Sequence, residues 1–246
     1  KRVQQEVYDI SDCILVHSKP VKNQVIDLFN INSTKVYVTP HGLYPIKYEL
    51  NAKNRNMAKE KIGYDDNDFV ASIVGRIRQY KGIDLALSEF QNFQKKNTLS
   101  AKLIIAGFPD DKKIDESIKK ATKYNSSIKY IDREITDIEL AEILLASDVC
   151  LLPYEKGTTS GVAYLSLSYR TPMITSNIEC FDEFSEKGFS LKVDHKNINT
   201  ALEYLCNAYF SNSLNTIFGN LNEKDSINSY RWDYIVNSEP YKTIFS

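Results

Sequence analysis

Two short segments of the chain concentrate the groups that could hold an anion. The first is Gly75-Arg76-Ile77-Arg78-Gln79-Tyr80-Lys81-Gly82, directly after an apolar run. Glycine permits a tight turn and close backbone approach. Arg76 offers a planar fork of donors and Lys81 a compact charge, both suited to a diphosphate. A solvated basic loop would have the same composition, but a position at the carboxyl end of a strand favours a ligand. The second segment is Pro153-Tyr154-Glu155-Lys156-Gly157-Thr158-Thr159-Ser160-Gly161-Val162, between another apolar run and a helix-compatible stretch. Thr159 or Ser160 suits the N-cap, Gly161 admits a ligand, and the free amides of Gly161 and Val162 with the helix dipole would attract a phosphate. An ordinary strand-to-helix turn reads the same way.

The elements that must position these segments alternate along the chain. Phe69–Val74, Ala101–Ala106, Ile128–Ile131, Val149–Leu152 and Met173–Thr175 read as strands, several rich in β-branched residues and ending at glycine. Between them, helical spacing recurs at Ile83, Ala86, Leu87, Phe90 and Phe93, over 112–124, at Leu140, Ile143 and Leu144, and from Gly161 to Tyr169. A last stripe runs from Ile198 to Tyr209. Strands apolar on both faces and separated by helices predict an α/β domain with a doubly wound, Rossmann-like parallel sheet. Its ligand would lie outside the carboxyl ends of the strands, where the residues after Val74, Ile131 and Leu152 converge.

The opening residues differ. A helix-like start, a strand at 13–16, a helix at 21–29 and a strand at 35–38 make one β-α-β unit, too small to bury its own faces. Residues 1–47 are therefore expected to be the end of a preceding domain with a hinge, 48–229 the ligand-binding domain, and 230–246 a helical tail. The polar stretch Asn51–Asn56 is expected to separate the first two.

Together the two segments resemble the C-terminal half of a GT-B glycosyltransferase of the glycosyltransferase family 4, or group 1, type. Gly75, Arg76, Lys81 and Gly82 are similar to that family's G-R-(I/L)-x-x-x-K-G, and Arg170-Thr171-Pro172-Met173-Ile174-Thr175-Ser176 to its G-T-P-V-I-A-S. Tyr230-Arg231-Trp232-Asp233 resembles its closing aromatic segment, and residues 12–18 and 35–42 the end of its N-terminal domain. The resemblance implies a hexosyl-type transferase that moves sugar from a nucleotide-diphosphate sugar (UDP or GDP) to an acceptor hydroxyl. It implies retention at the anomeric carbon, in polysaccharide or glycoconjugate synthesis, with a saccharide or lipid-linked acceptor. Arg76 and Lys81 would neutralise the departing diphosphate without a metal, Gly75, Thr159, Ser160, Gly161 and Val162 would line the donor, and main-chain groups from Arg133 to Ile135 would hold the base. Without its N-terminal domain such a fragment is expected to transfer no sugar. The family's two donor-site glutamates fall, without gaps, on Gly157 and Leu165; Glu155 replaces the first only if the loop carries an insertion. That departure leaves two rival readings: a non-catalytic nucleotide-binding or scaffolding module, and a sugar-nucleotide epimerase of the same fold.

Composition excludes several other classes. The 246 residues carry 31 basic and 32 acidic side chains, so no strong field favours nucleic acid, although peripheral membrane contact remains open. No apolar run approaches a membrane span. Four cysteines without a C-x-x-C pair and three scattered histidines predict reduced, structural thiols, no bound metal and a cytoplasmic protein.

Overall fold

In the computed structural model, which describes residues 2–245, eight strands form two parallel sheets. The smaller pairs β1 (Ile14–Val16) with β2 (Val36–Val38), following α1 (Arg2–Ile10) and enclosing α2 (Lys19–Phe29). Ile14, Val16, Val25, Ile31 and Val36 form its own small core.

The larger sheet holds β3 (Phe69–Val74), β4 (Ala101–Ala106), β5 (Ile128–Ile131), β6 (Val149–Leu152), β7 (Met173–Ser176) and β8 (Ser190–Val193). Their order is β5-β4-β3-β6-β7-β8, all parallel. The chain winds outward from β3 to β5, returns at β6 to the other side of β3, and winds outward again. The order therefore reverses between β3 and β6, the place where such sheets open a crevice. Burial follows position. Every residue of β3, β6 and β7 is buried, whereas the edge strands β5 and β8 are buried at their first residue only. The helices α4 (Ile83–Lys96), α5 (Lys112–Tyr124), α6 (Asp137–Ala146), α7 (Gly161–Ser168) and α8 (Asp182–Glu186) connect the strands, and α9 (Ile198–Phe210) follows β8, with short helices after it. This is the doubly wound α/β architecture that the strand–helix alternation predicts.

Two elements depart from the sequence reading. The stretch expected to separate domains forms the N-cap and first half of a helix, α3 (Ala52–Lys61), with Asn51 accepting from the Asn54 amide at 2.9 Å. Its anchors are charged. Arg55 and Lys59, one turn apart, both pair with the buried carboxylate of Asp148 at the start of β6, Lys59 at 3.3 Å. Lys59 also donates to the Asp68 carbonyl at 2.6 Å and to the Tyr209 hydroxyl at 3.0 Å, which is how a 1% exposed ammonium is tolerated. The second departure is β8, an edge strand absent from the expected set. Its sequence Ser-Leu-Lys-Val alternates polar and apolar, because only one face of an edge strand needs covering.

The tail and the segment after β2 are tied together. The Leu43 amide donates to the Tyr230 carbonyl at 2.8 Å, and the Trp232 indole N–H returns a bond to the Leu43 carbonyl at 2.9 Å. The indole lies directly on Gly42, where a Cβ would fall 2.1 Å from Trp232 Cε2, so no larger residue fits under it. Trp232 is thus a packing residue.

Candidate functional site

The loop after β3 is shaped by its neighbours before any ligand arrives. Gly75 takes φ +85°, and a single 3-10 turn at Gln79–Lys81 ends at Gly82, with φ +65°. A Cβ on Gly82 would meet the Pro153 carbonyl oxygen at 2.1 Å, so glycine is required where α4 starts against the end of β6. Ile77, fully buried, bridges to Pro109 and zips this loop to the one after β4.

That zipper separates the two expected cations. Arg76 donates from Nε to Asp110 Oδ1 at 2.7 Å, and Arg78 from Nε to Asp110 Oδ2 at 2.7 Å. The two guanidinium groups hold the Asp110 carboxyl below its ordinary range, the Arg78 bond foremost. Arg76 is half exposed and does not line the cavity beneath the loop. Lys81 does, and it is 7% exposed. Its ammonium lies 5.6 Å from the Tyr154 ring centroid and 3.6 Å from where a Gly75 Cβ would stand, with no ion pair among the described residues. Burial, unrelieved by a close carboxylate, draws the Lys81 ammonium down to about 8.

The donor loop after β6 supplies the facing wall. Tyr154, buried, is fixed through its carbonyl, which accepts from Ser176 Oγ at 2.5 Å and faces His195 Nε2 at 3.3 Å. Ser160 is the N-cap of α7: its hydroxyl accepts from the Ala163 amide at 3.2 Å. The Gly161 and Val162 amides, at the first two positions of the helix, have no intrahelical acceptor and carry the positive end of its dipole. A Gly161 Cβ would come 3.0 Å from the Tyr44 hydroxyl, so this terminus is approached closely by the segment after β2.

Between these walls lies a cavity of about 380 Å³. Lys81, Thr159, Ser160, Gly161 and Val162 of the expected set line it, and Gly75 lies beneath. Glu155, exposed and without a side-chain partner among the described residues, lies outside it; so does Arg133, which forks onto Glu139 at 2.5 Å. That pair closes the capping box of α6, in which Thr136 and Glu139 exchange bonds, and Arg133 foremost pulls the Glu139 carboxyl down to about 2. Ile135 packs against the core beside it.

The remaining lining was missed from sequence. Tyr44 and Lys47 come from the segment after β2, which crosses α7: the Tyr44 amide donates to Ser168 Oγ at 2.9 Å and the Lys47 amide to the Tyr169 hydroxyl at 3.2 Å. Asp137, the first residue of α6, supplies the one carboxylate lining the cavity among the described residues. Leu165, at the aligned place of the second family glutamate, also lines it. His41 stacks on Tyr164 with centroids 4.6 Å apart and meets the His17 ring at 5.2 Å, so it joins the β1–β2 unit to α7.

A parallel sheet with a cationic crevice at its switch point defines a class of α/β ligand-binding domains, and the sequence narrows it further. The family described as glycosyl transferases group 1 matches residues 54–225, and the chain belongs to it. The chain is 26% identical over 180 residues to alpha-monoglucosyldiacylglycerol synthase of Acholeplasma laidlawii, spanning 71% of this chain and 44% of that protein. In structure it is similar to sucrose-phosphate synthase of Thermosynechococcus elongatus, with TM-score 0.73, 16% identity and coverage of 99% and 61% of the two chains. It is also similar to Anabaena HepE, solved in complex with UDP and glucose, with TM-score 0.73, 12% identity and coverage of 99% and 64%. The chain thus spans less than two thirds of these relatives, and the structural likenesses carry the GT-B fold alone. Among the described residues no helix is long and apolar enough to cross a membrane, and no cluster of side chains could hold a metal ion.

Proposed function

We propose that the chain is the donor-binding part of a glycosyltransferase that takes its sugar from a nucleoside-diphosphate sugar, with retention at the anomeric carbon. The observation that carries this reading is the cavity itself. A buried ammonium with no ion pair among the described residues shares the cavity with the free amides of a helix N-terminus, in a chain of the group 1 family. Lys81 would take one phosphate oxygen, and the Gly161 and Val162 amides another. Both would stabilise the negative charge that builds on the departing diphosphate. Thr159 is placed to add a hydroxyl. Arg76 would reach the diphosphate only by exchanging Asp110 for it.

Asp137 is the natural candidate for the ribose hydroxyls. The family's aligned glutamate is replaced by Leu165, and Asp137 brings a carboxylate to the same cavity from α6. The loop from Arg133 to Ile135, at the mouth of β5, remains our assignment for the base. The acceptor would be a saccharide or a lipid-linked hydroxyl, and the pathway polysaccharide or glycoconjugate synthesis. Calorimetric titration with UDP, GDP and their glucose conjugates tests the reading. Saturable binding that requires the diphosphate supports it, and equal binding of uridine or guanosine alone rejects it. The exposed, unpartnered Glu155 and the aligned Gly157 favour one alternative, a nucleotide-binding module without transferase activity. Binding of UDP-glucose with no glucosyl release or transfer in the full-length protein would select that alternative.

A further inference from the structure

At the opposite pole of the large sheet, where β3, β6 and β7 begin, a second cavity of about 660 Å³ lies between α3, the turn after α7 and the C-terminal end of α9. Its charge is unbalanced. Arg55 and Arg170 both line it, and the carboxylate of Asp148 is already engaged by Arg55, by Lys59 and by the Val70 amide at 2.8 Å. Arg170 has no such partner. Its Nη1 is fully enclosed without a hydrogen bond, and its guanidinium makes no ion pair among the described residues. The side-chain amides of Asn67 and Asn212, also in the lining, have no protein partner among the described residues.

Arg170 has φ +57°, a left-handed conformation costly for a side chain with a Cβ, and stands where the family's G-T-P-V-I-A-S pattern has glycine. That left-handed turn ends α7, with the Arg170 amide donating to the Leu167 carbonyl at 3.1 Å and the Thr171 amide to the Ser166 carbonyl at 2.9 Å, a closure that glycine makes at no cost. What arginine adds at this position is a guanidinium in the cavity lining.

We propose that this cavity binds a small oxyanion, free phosphate or the phosphate group of a small organic ester, held by the accessible part of the Arg170 guanidinium with the exposed amides of Asn67 and Asn212 as further donors. The site is independent of the donor cavity, although α7 runs from one to the other and Tyr169 walls both.

The test is a titration of the folded chain with inorganic phosphate, glycerol phosphate and glycerol, at about 0.1 M salt to screen weak surface binding. Melting temperature and calorimetric heat are the readouts. Both phosphates should bind saturably and raise the melting temperature, and glycerol should do neither. Binding tighter for glycerol phosphate than for phosphate identifies an ester as the ligand, and the reverse identifies the free ion. Arg170→Gly suits the left-handed backbone, so it should fold and lose about tenfold or more in phosphate affinity, as expected for a lost charge-assisted bond. Lys81→Met, which removes the phosphate ligand assigned to the donor cavity, is the background for the comparison: in it phosphate should still bind saturably, and adding Arg170→Gly should abolish that binding. No saturable phosphate binding in Lys81→Met, or equal affinity with and without Arg170→Gly in that background, overturns the proposal.

Discussion

Arg76 Nε sits 2.7 Å from Asp110 Oδ1, whereas Lys81, five residues further on, faces the cavity and makes no ion pair among the described residues. The two basic residues of one loop are therefore not equivalent. Lys81→Ala should weaken UDP binding by about 1.5–3 kcal/mol, the range for a charged hydrogen bond. Arg76→Ala should cost less, since Arg76 must first leave Asp110. Calorimetry on both variants decides: a larger loss at Arg76 would mean that the diphosphate lies over the Asp110 loop instead.

Lys81 also sets a pH dependence. Its folded value is drawn below the ordinary lysine value of 10.5 to about 8. The cost of burying the charge is fully present below about 8 and is relieved as pH rises from there toward the ordinary value, because the unfolded chain then holds the extra proton. Stability from this residue thus increases with pH across that window. Ligand binding runs the other way, since a phosphate wants the ammonium. UDP affinity should fall about tenfold between pH 7 and 9 in the parent. In Lys81→Met it should be nearly flat, and an equal slope in both would remove Lys81 from the site.

At the start of α7, Gly161→Val should weaken UDP binding strongly while leaving the fold in place. The added group meets the end of the half-exposed Tyr44 side chain, which can yield, rather than backbone. Circular dichroism and calorimetry separate the two effects. Glu155→Gln should change UDP affinity by less than Lys81→Ala does, because that carboxylate lies outside the cavity lining. A larger effect would show that the loop folds Glu155 inward on binding.

For Asp137, substitution by Asn should narrow the gap in affinity between UDP and its 2′,3′-dideoxy analogue by about 1 kcal/mol or more, the worth of a hydrogen bond to a charged group. An unchanged gap would leave the ribose to another residue.

The tail makes a stability prediction. Trp232→Ala removes an indole from Gly42 and a hydrogen bond from Leu43; half exposed, it should cost about 1–3 kcal/mol, below the range for a fully buried tryptophan. Gly42→Ala should cost a similar amount by displacing the same ring. Urea unfolding of both variants checks this, and additive losses in the double variant would mean that the two residues do not act through one contact.

What the sequence made legible follows from what needs burial. The β3, β4, β6 and β7 runs are apolar on both faces, so they read as strands, and the reversal of order between β3 and β6 puts the two basic and glycine-rich loops together. The edge strand β8 and the helix α3 were hidden for related reasons. One covers only one face, and the other is held by Arg55 and Lys59 on Asp148, a charge pairing that no hydrophobic period reports. Within the site, Lys81 and the Ser160–Val162 terminus were visible because each follows its own strand. Asp110, Tyr44 and Asp137 were not, because their places depend on how separate loops and the crossing segment dock in three dimensions. The unpaired Arg170 was visible only as a departure from a glycine, and its burial gave that departure meaning.

The decisive measurement is a structure of the chain with UDP bound. Phosphate oxygens should lie within about 3.5 Å of Lys81 Nζ and of the Gly161 or Val162 amide, the reach of a hydrogen bond or ion pair. Phosphates more than about 5 Å from both groups would contradict that placement, since no direct bond spans that distance.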